Sequence, residues 1–83
     1  MIAFMKKQKL SELKPGMQAR LVSLDLSDRS FRQKLLAMGL IPGVMLEVIR
    51  TAPLGDPMQI CVRGFHLSLR KTEASAIYVE RIT

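Results

Sequence analysis

Two consecutive stop signals stand between Met38 and Val44, and any fold of this chain has to be arranged around them. Gly39 suits the left-handed residue just past a helix, and Pro42-Gly43 suits the central pair of a type II turn. Ahead of them, Phe31, Leu35 and Met38 recur at helical spacing with Arg32, Gln33 and Lys34 between. That spacing predicts a short helix with an apolar stripe beside a basic face. Ser30 with Gln33 fits a capping box, and Asp28 offers an earlier cap. Behind them the period switches to alternation, with Val44, Leu46 and Val48 on one face and Met45, Glu47 and Ile49 on the other. The chain therefore doubles back at this point, from helix into strand.

The same turn chemistry occurs earlier. Leu13-Lys14-Pro15-Gly16-Met17 through Val22 echoes Leu40-Ile41-Pro42-Gly43-Val44 through Ile49, which implies one turn-into-strand device used twice. Two copies are too few for a repeat architecture. In the first copy Met17, Ala19 and Leu21 alternate with Gln18 and Arg20, and the alternation slips at Val22, where a bulge or bend is expected. A helical turn is expected at Leu10 to Leu13. The polar stretch Leu24 to Arg29 leads into the helix.

After the Val44 to Thr51 strand, Ala52-Pro53-Leu54-Gly55-Asp56-Pro57 reads as a hairpin loop, since each proline lacks the donor a central strand needs. Met58, Ile60 and Val62 then alternate with Gln59, Cys61 and Arg63. Gly64 marks a tight reversal, and Phe65, Leu67 and Leu69 resume the alternation as an inward set. Lys71 to Ala76 has room for one helical turn, and Ile77 to Ile82 forms the last strand with Ile77 and Val79 inward. The sum is a mainly β fold: an SH3-like small barrel of five strands with one short helix between strands 1 and 2. Side chains fill a barrel of this size, so binding is expected on its surface. Residues 1–9 lack periodicity and are expected to be a flexible N-terminal arm, with residues 10–83 as the folded domain.

Composition narrows the function classes. Eighty-three residues make one domain with a small core, folding burying roughly 60–65% of the unfolded surface. A hydrophobic fraction of 48% with 24% charged residues is ordinary for a folded domain. The longest uncharged apolar run, Met1 to Met5, is far short of the about 20 residues that span a bilayer, and it precedes rather than follows its lysines, so a cytosolic protein is expected without membrane insertion. One cysteine, Cys61, allows no internal disulfide. The net charge of +6 invites a nucleic-acid reading, but Lys6, Lys7 and Lys9 lie in the expected arm and the remaining charge is scattered.

Several chemistries lack their residues. His66 is the sole histidine and Cys61 the sole cysteine. They fall on strands expected to be adjacent, both side chains outward, with no third group evident to orient the imidazole, so no catalytic pair is assigned. A metal site wants three or four ligands, so no intrachain metal or cofactor is expected, and zinc or iron contact is left to interfaces between molecules. Neither the phosphate-binding G-x-x-x-x-G-K-[ST] loop nor the G-x-G-x-x-G turn occurs. Arg63-Gly64-Phe65 copies the start of an RNA-binding signature that His66-Leu67-Ser68 does not continue. Four aromatics, Phe4, Phe31, Phe65 and Tyr78, with Phe31 and Phe65 assigned to the core, leave little to stack on bases, and the absence of tryptophan argues against polyproline recognition.

The run Arg32-Gln33-Lys34-Leu35-Leu36-Ala37-Met38-Gly39-Leu40-Ile41-Pro42-Gly43, the loop Ala52-Pro53-Leu54-Gly55-Asp56-Pro57 and the closing Leu67-Ser68-Leu69-Arg70-Lys71 together resemble the FeoA family over about residues 10–82. These are small cytosolic accessory proteins of bacterial ferrous-iron transport. The resemblance implies an SH3-like barrel, a domain also found closing some metal-dependent repressors, and it implies a partner, the membrane GTPase-permease FeoB, met on its cytosolic side. A non-enzymatic interaction module is therefore expected. Its docking surface is placed in a cleft between the helix region, at Arg29, Arg32, Leu36 and Leu40, and the loop at Pro53, Leu54 and Asp56. Leu36 lies about 100° around the helix from Leu35, and Leu54 at the tip of a stiff loop is hard to bury. Two competing expectations are a basic barrel that binds nucleic acid through phosphates, and a modulator of the partner's GTP hydrolysis that lends Arg29 or Arg32. A weak homo-oligomer is compatible with either.

Overall fold

The computed structural model describes residues 7–82. Strand β1 (Lys7–Lys9) is followed by a 3₁₀ turn (Leu10–Glu12), β2 (Gln18–Leu24), helix α1 (Arg29–Ala37), β3 (Met45–Thr51), β4 (Met58–Val62), β5 (Phe65–Leu69), a single helical turn α2 (Lys71–Ala74) and β6 (Ile77–Arg81). All strands pair antiparallel in one sheet of order β1-β6-β2-β3-β4-β5. The architecture is SH3-like, with two corrections to the expected barrel. It has six strands rather than five, and the sheet is not closed, because β1 and β5 remain its two edges. The extra strand comes from the expected arm: Lys7, Gln8 and Lys9 pair with Glu80, Val79 and Tyr78. Met1 to Lys6 lie outside the described residues.

The echo between the two Pro-Gly segments becomes a local symmetry. Met17 N–H donates to Lys14 C=O and Val44 N–H to Ile41 C=O, each closing a four-residue turn with glycine at positive φ, Gly16 at 91° and Gly43 at 94°. Each turn then bonds the strand that follows the other: Gly16 N–H to Val48 C=O at 2.8 Å, and Gly43 N–H to Leu21 C=O at 2.7 Å. This exchange pins β2 to β3 at both ends. The bulge expected at Val22 is present, the register with β6 shifting between Leu21 and Ser23. A second shift, between Val48 and Arg50, has no counterpart in the sequence pattern, because both faces of that strand read as apolar.

Inward-facing residues of β2 to β6 build the core, Leu21, Leu46, Val48, Met58, Ile60, Val62, Leu69, Ile77 and Val79 among them, and Leu10 and Leu13 close one end. Helix α1 covers the core through Leu35, with Phe31 and Met38 partly buried beside it. Its cap is Asp28, whose carboxylate accepts the Phe31 N–H at 3.1 Å, so Ser30 falls inside the helix and the Ser30-Gln33 box is not used. A carboxylate there also suits the positive end of the helix dipole.

Candidate functional site

The helix's far end overturns one of the expected docking residues. Gly39 N–H bonds to Leu36 C=O and Leu40 N–H to Leu35 C=O, a Schellman closure with Gly39 left-handed at φ 100°. That closure folds Leu40 back over Leu35, and Leu40 is fully buried. Leu40 is therefore core rather than surface, contributing about 1.5–3 kcal/mol of burial. The signal was in the sequence, since an apolar residue directly after such a glycine packs on the last helical turn. Leu36 is partly buried against the core. Arg29 and Arg32 are exposed.

The single cleft expected between helix and loop divides in two. Residues 52–57 join β3 to β4 at the Met58 end, whereas Gly39 meets Arg63 at the Val62 end, where an added Cβ would stand 3.1 Å from Arg63 Cδ. Strand β4, roughly 15 Å long, lies between. The loop is instead fastened to α2: Asp56 Oδ1 accepts the Lys71 N–H at 3.2 Å, and Gly55 lies along the Lys71 side chain. Asp56 thus has a structural task. The opening turn of α1 faces α2 across a depression of about 290 Å³ that Asp28 and Phe31 line together with Thr72 and Glu73.

Leu54 is 95% exposed and sits at φ 72°, ψ 6°. A bulky side chain in the left-handed region costs about 1–2 kcal/mol. Among the described residues nothing repays that cost through packing, so the loop presents an apolar tip outward. Pro53 beside it is exposed as well.

A second apolar surface lies at the other end. Phe65, expected in the core, is 60% exposed. It faces the core side in register with buried Val62, but it is the first residue after the hairpin on an edge strand, beyond the helix's cover. With Ala37 and Met38 it lines a hollow of about 250 Å³. Sequence alternation identified its face and was silent on how far the helix reaches.

Cys61 and His66 stand opposite each other in register, with Glu47 opposite Cys61 on the other side. His66 Nδ1 lies 3.5 Å from Gln59 Nε2. Among the described residues no three His, Cys, Asp or Glu side chains gather closely enough to hold an ion. Among the same residues, no helix is long and apolar enough to cross a membrane.

Comparison with known proteins gives a family model described as FeoA domain, matching residues 8–81. A Porphyromonas gingivalis relative, the Fe(2+) transport protein A/Fe(2+) transporter FeoB fusion protein, is 37% identical over 75 residues. The match covers 90% of this chain and spans 9% of the fusion's length. The solution structure of Chlorobium tepidum FeoA superposes with a TM-score of 0.86 at 39% identity, covering 92% of this chain and 71% of that one. Stenotrophomonas maltophilia FeoA, solved in complex with zinc and described as a prokaryotic SH3 domain protein, gives a TM-score of 0.77 at 24% identity, over 88% of this chain and 89% of that one. At that identity the likeness speaks to the fold alone.

Proposed function

Since the chain belongs to the FeoA domain family, we propose that it is a non-enzymatic accessory of ferrous-iron uptake that docks on the cytosolic side of a FeoB-type GTPase-permease. The observation that carries this reading is the fused relative, in which an FeoA segment similar to this chain and an FeoB transporter are one polypeptide. Fusion keeps two partners at high effective concentration, an arrangement that suits domains acting on each other. Leu54 supports it from the side of this molecule, since a leucine held outward by a stiff loop gains apolar burial when a partner covers it. Arg29, Arg32 and Pro53 are exposed and are proposed to contribute to the same docking, and Asp56 acts by holding the loop on α2.

The test is co-purification of the chain with the detergent-solubilised permease, with and without ferrous iron and guanine nucleotide. Binding is expected for the wild type and a loss of roughly tenfold or more for Leu54→Glu, whose carboxylate would have to be desolvated in the interface. Wild-type material that fails to bind under all of these conditions would overturn the docking, and an undiminished Leu54→Glu would remove the loop from it.

A further inference from the structure

Strand β5 ends the sheet, and among the described residues nothing pairs with its outer side. The two-residue turn Arg63-Gly64, both at positive φ, makes Val62 and Phe65 the hydrogen-bonded pair that flanks it. Bonded and non-bonded pairs alternate from there, so Phe65, Leu67 and Leu69 direct their N–H and C=O groups to β4. His66 and Ser68 direct theirs away from the sheet. Four backbone groups in a row thus form a template for another strand.

We propose that this edge takes up an extended segment of the partner as a seventh strand, an inference that rests on the docking reading above and specifies how part of the docking is made. Two observations favour it. The sequence Phe65-His66-Leu67-Ser68-Leu69 contains no proline or lysine, and its register with β4 runs without a bulge, so it lacks the devices that keep edges single. The hollow of Ala37, Met38 and Phe65 opens beside its first residue, where an incoming strand would place one apolar side chain.

The hollow argues against a second copy as occupant. Antiparallel pairing of two β5 edges through His66 and Ser68 centres on Leu67 and sets Leu69 of each molecule opposite Phe65 of the other. Leu69 is buried in its own core, so a second copy leaves the hollow unfilled. The segment that fits is alternating, with an apolar residue beside Phe65 and polar residues beside His66 and Ser68.

Ser68→Pro tests the edge directly. It removes one outward N–H and no bond to β4, so circular dichroism and the thermal midpoint should stay near wild type. Binding to the detergent-solubilised full-length permease should fall roughly tenfold, from an unpaired acceptor and a proline ring in the ladder. In the wild-type complex, amide exchange should slow at His66 and Ser68 and stay unchanged at Phe65, Leu67 and Leu69. If the wild type binds while exchange at His66 and Ser68 does not change, the edge proposal is wrong and the docking reading stands. That measurement also decides the matter should Ser68→Pro misfold. If the wild type does not bind, both fall. Protection of the same two amides on concentrating the chain alone would assign the edge to a second copy and overturn the proposal.

Discussion

At one margin of the sheet, three residues of β1 present Lys7 and Lys9 to solvent; at the other, five residues of β5 present His66 and Ser68. The difference extends inward. Nothing on β1 is fully buried, and its hold on the sheet comes from backbone pairing with β6 and from the Lys7 ammonium, which stands 5.0 Å over the Tyr78 ring. Strand β5 is anchored by buried Leu67 and Leu69 and braced at its hairpin by the contact of Arg63 with Gly39. A weakly anchored edge is thus short and lysine-lined, whereas a firmly anchored one is long and almost uncharged. Short, charged edges resist adventitious pairing. Anchoring without such protection suits a strand that is meant to be paired, because a rigid edge offers its donors and acceptors in place.

The largest expected effect tests the anchoring. Leu69→Ala should lower unfolding free energy by about 2–4 kcal/mol in urea titrations, whereas Gln8→Ala on β1 should change it by no more than about 0.5 kcal/mol. Equal losses would break the contrast. Next, Gly39→Ala should cost roughly 1–2 kcal/mol, since it combines a left-handed backbone with a Cβ crowding Arg63, and amide exchange should quicken at the β4–β5 hairpin before it does at β1. Asp28→Ala, removing the α1 cap, should cost about 1 kcal/mol by the same titration and leave exchange on β1 and β5 alike. Smallest in stability, and most telling for the edges, is the reciprocal pair. Ser68→Lys should alter the unfolding free energy by under about 0.5 kcal/mol yet weaken permease binding. Lys7→Val with Lys9→Val should cost no more than about 1 kcal/mol, from the lost Tyr78 contact, and promote self-association visible by sedimentation. If the lysine substitution on β5 leaves binding intact, the edges are not functionally distinct.

Much of this fold is legible from one sequence. The turns at Gly16, Gly43 and Gly64, the bulge at Val22, the loop at 52–57 and the inward sets of β4 and β6 all follow from local steric rules and from side-chain period. The docking surface was only partly legible. Leu54 is exposed as expected, because two prolines and a glycine leave its loop no way to turn inward. Leu40 belongs to the core through the Schellman closure that Gly39 announces, whereas Asp56 is exposed and also accepts the Lys71 N–H, a contact between distant residues that no local pattern records. Phe65 has the alternation of a core residue and the position of an edge residue, and period alone does not separate the two.

What the chain's letters determined unaided is where it turns, which residues on each strand share a face, and that the assembly is a small SH3-like β domain. These depend on torsional preferences and spacing within a few residues. Tertiary structure alone decided that Lys7–Lys9 become a strand, that the sheet stays open, and that among the described residues β5 is left with unpaired groups beside an apolar hollow. Those outcomes depend on which distant segments meet. An edge is defined by the strand that does not arrive, and no local pattern records it.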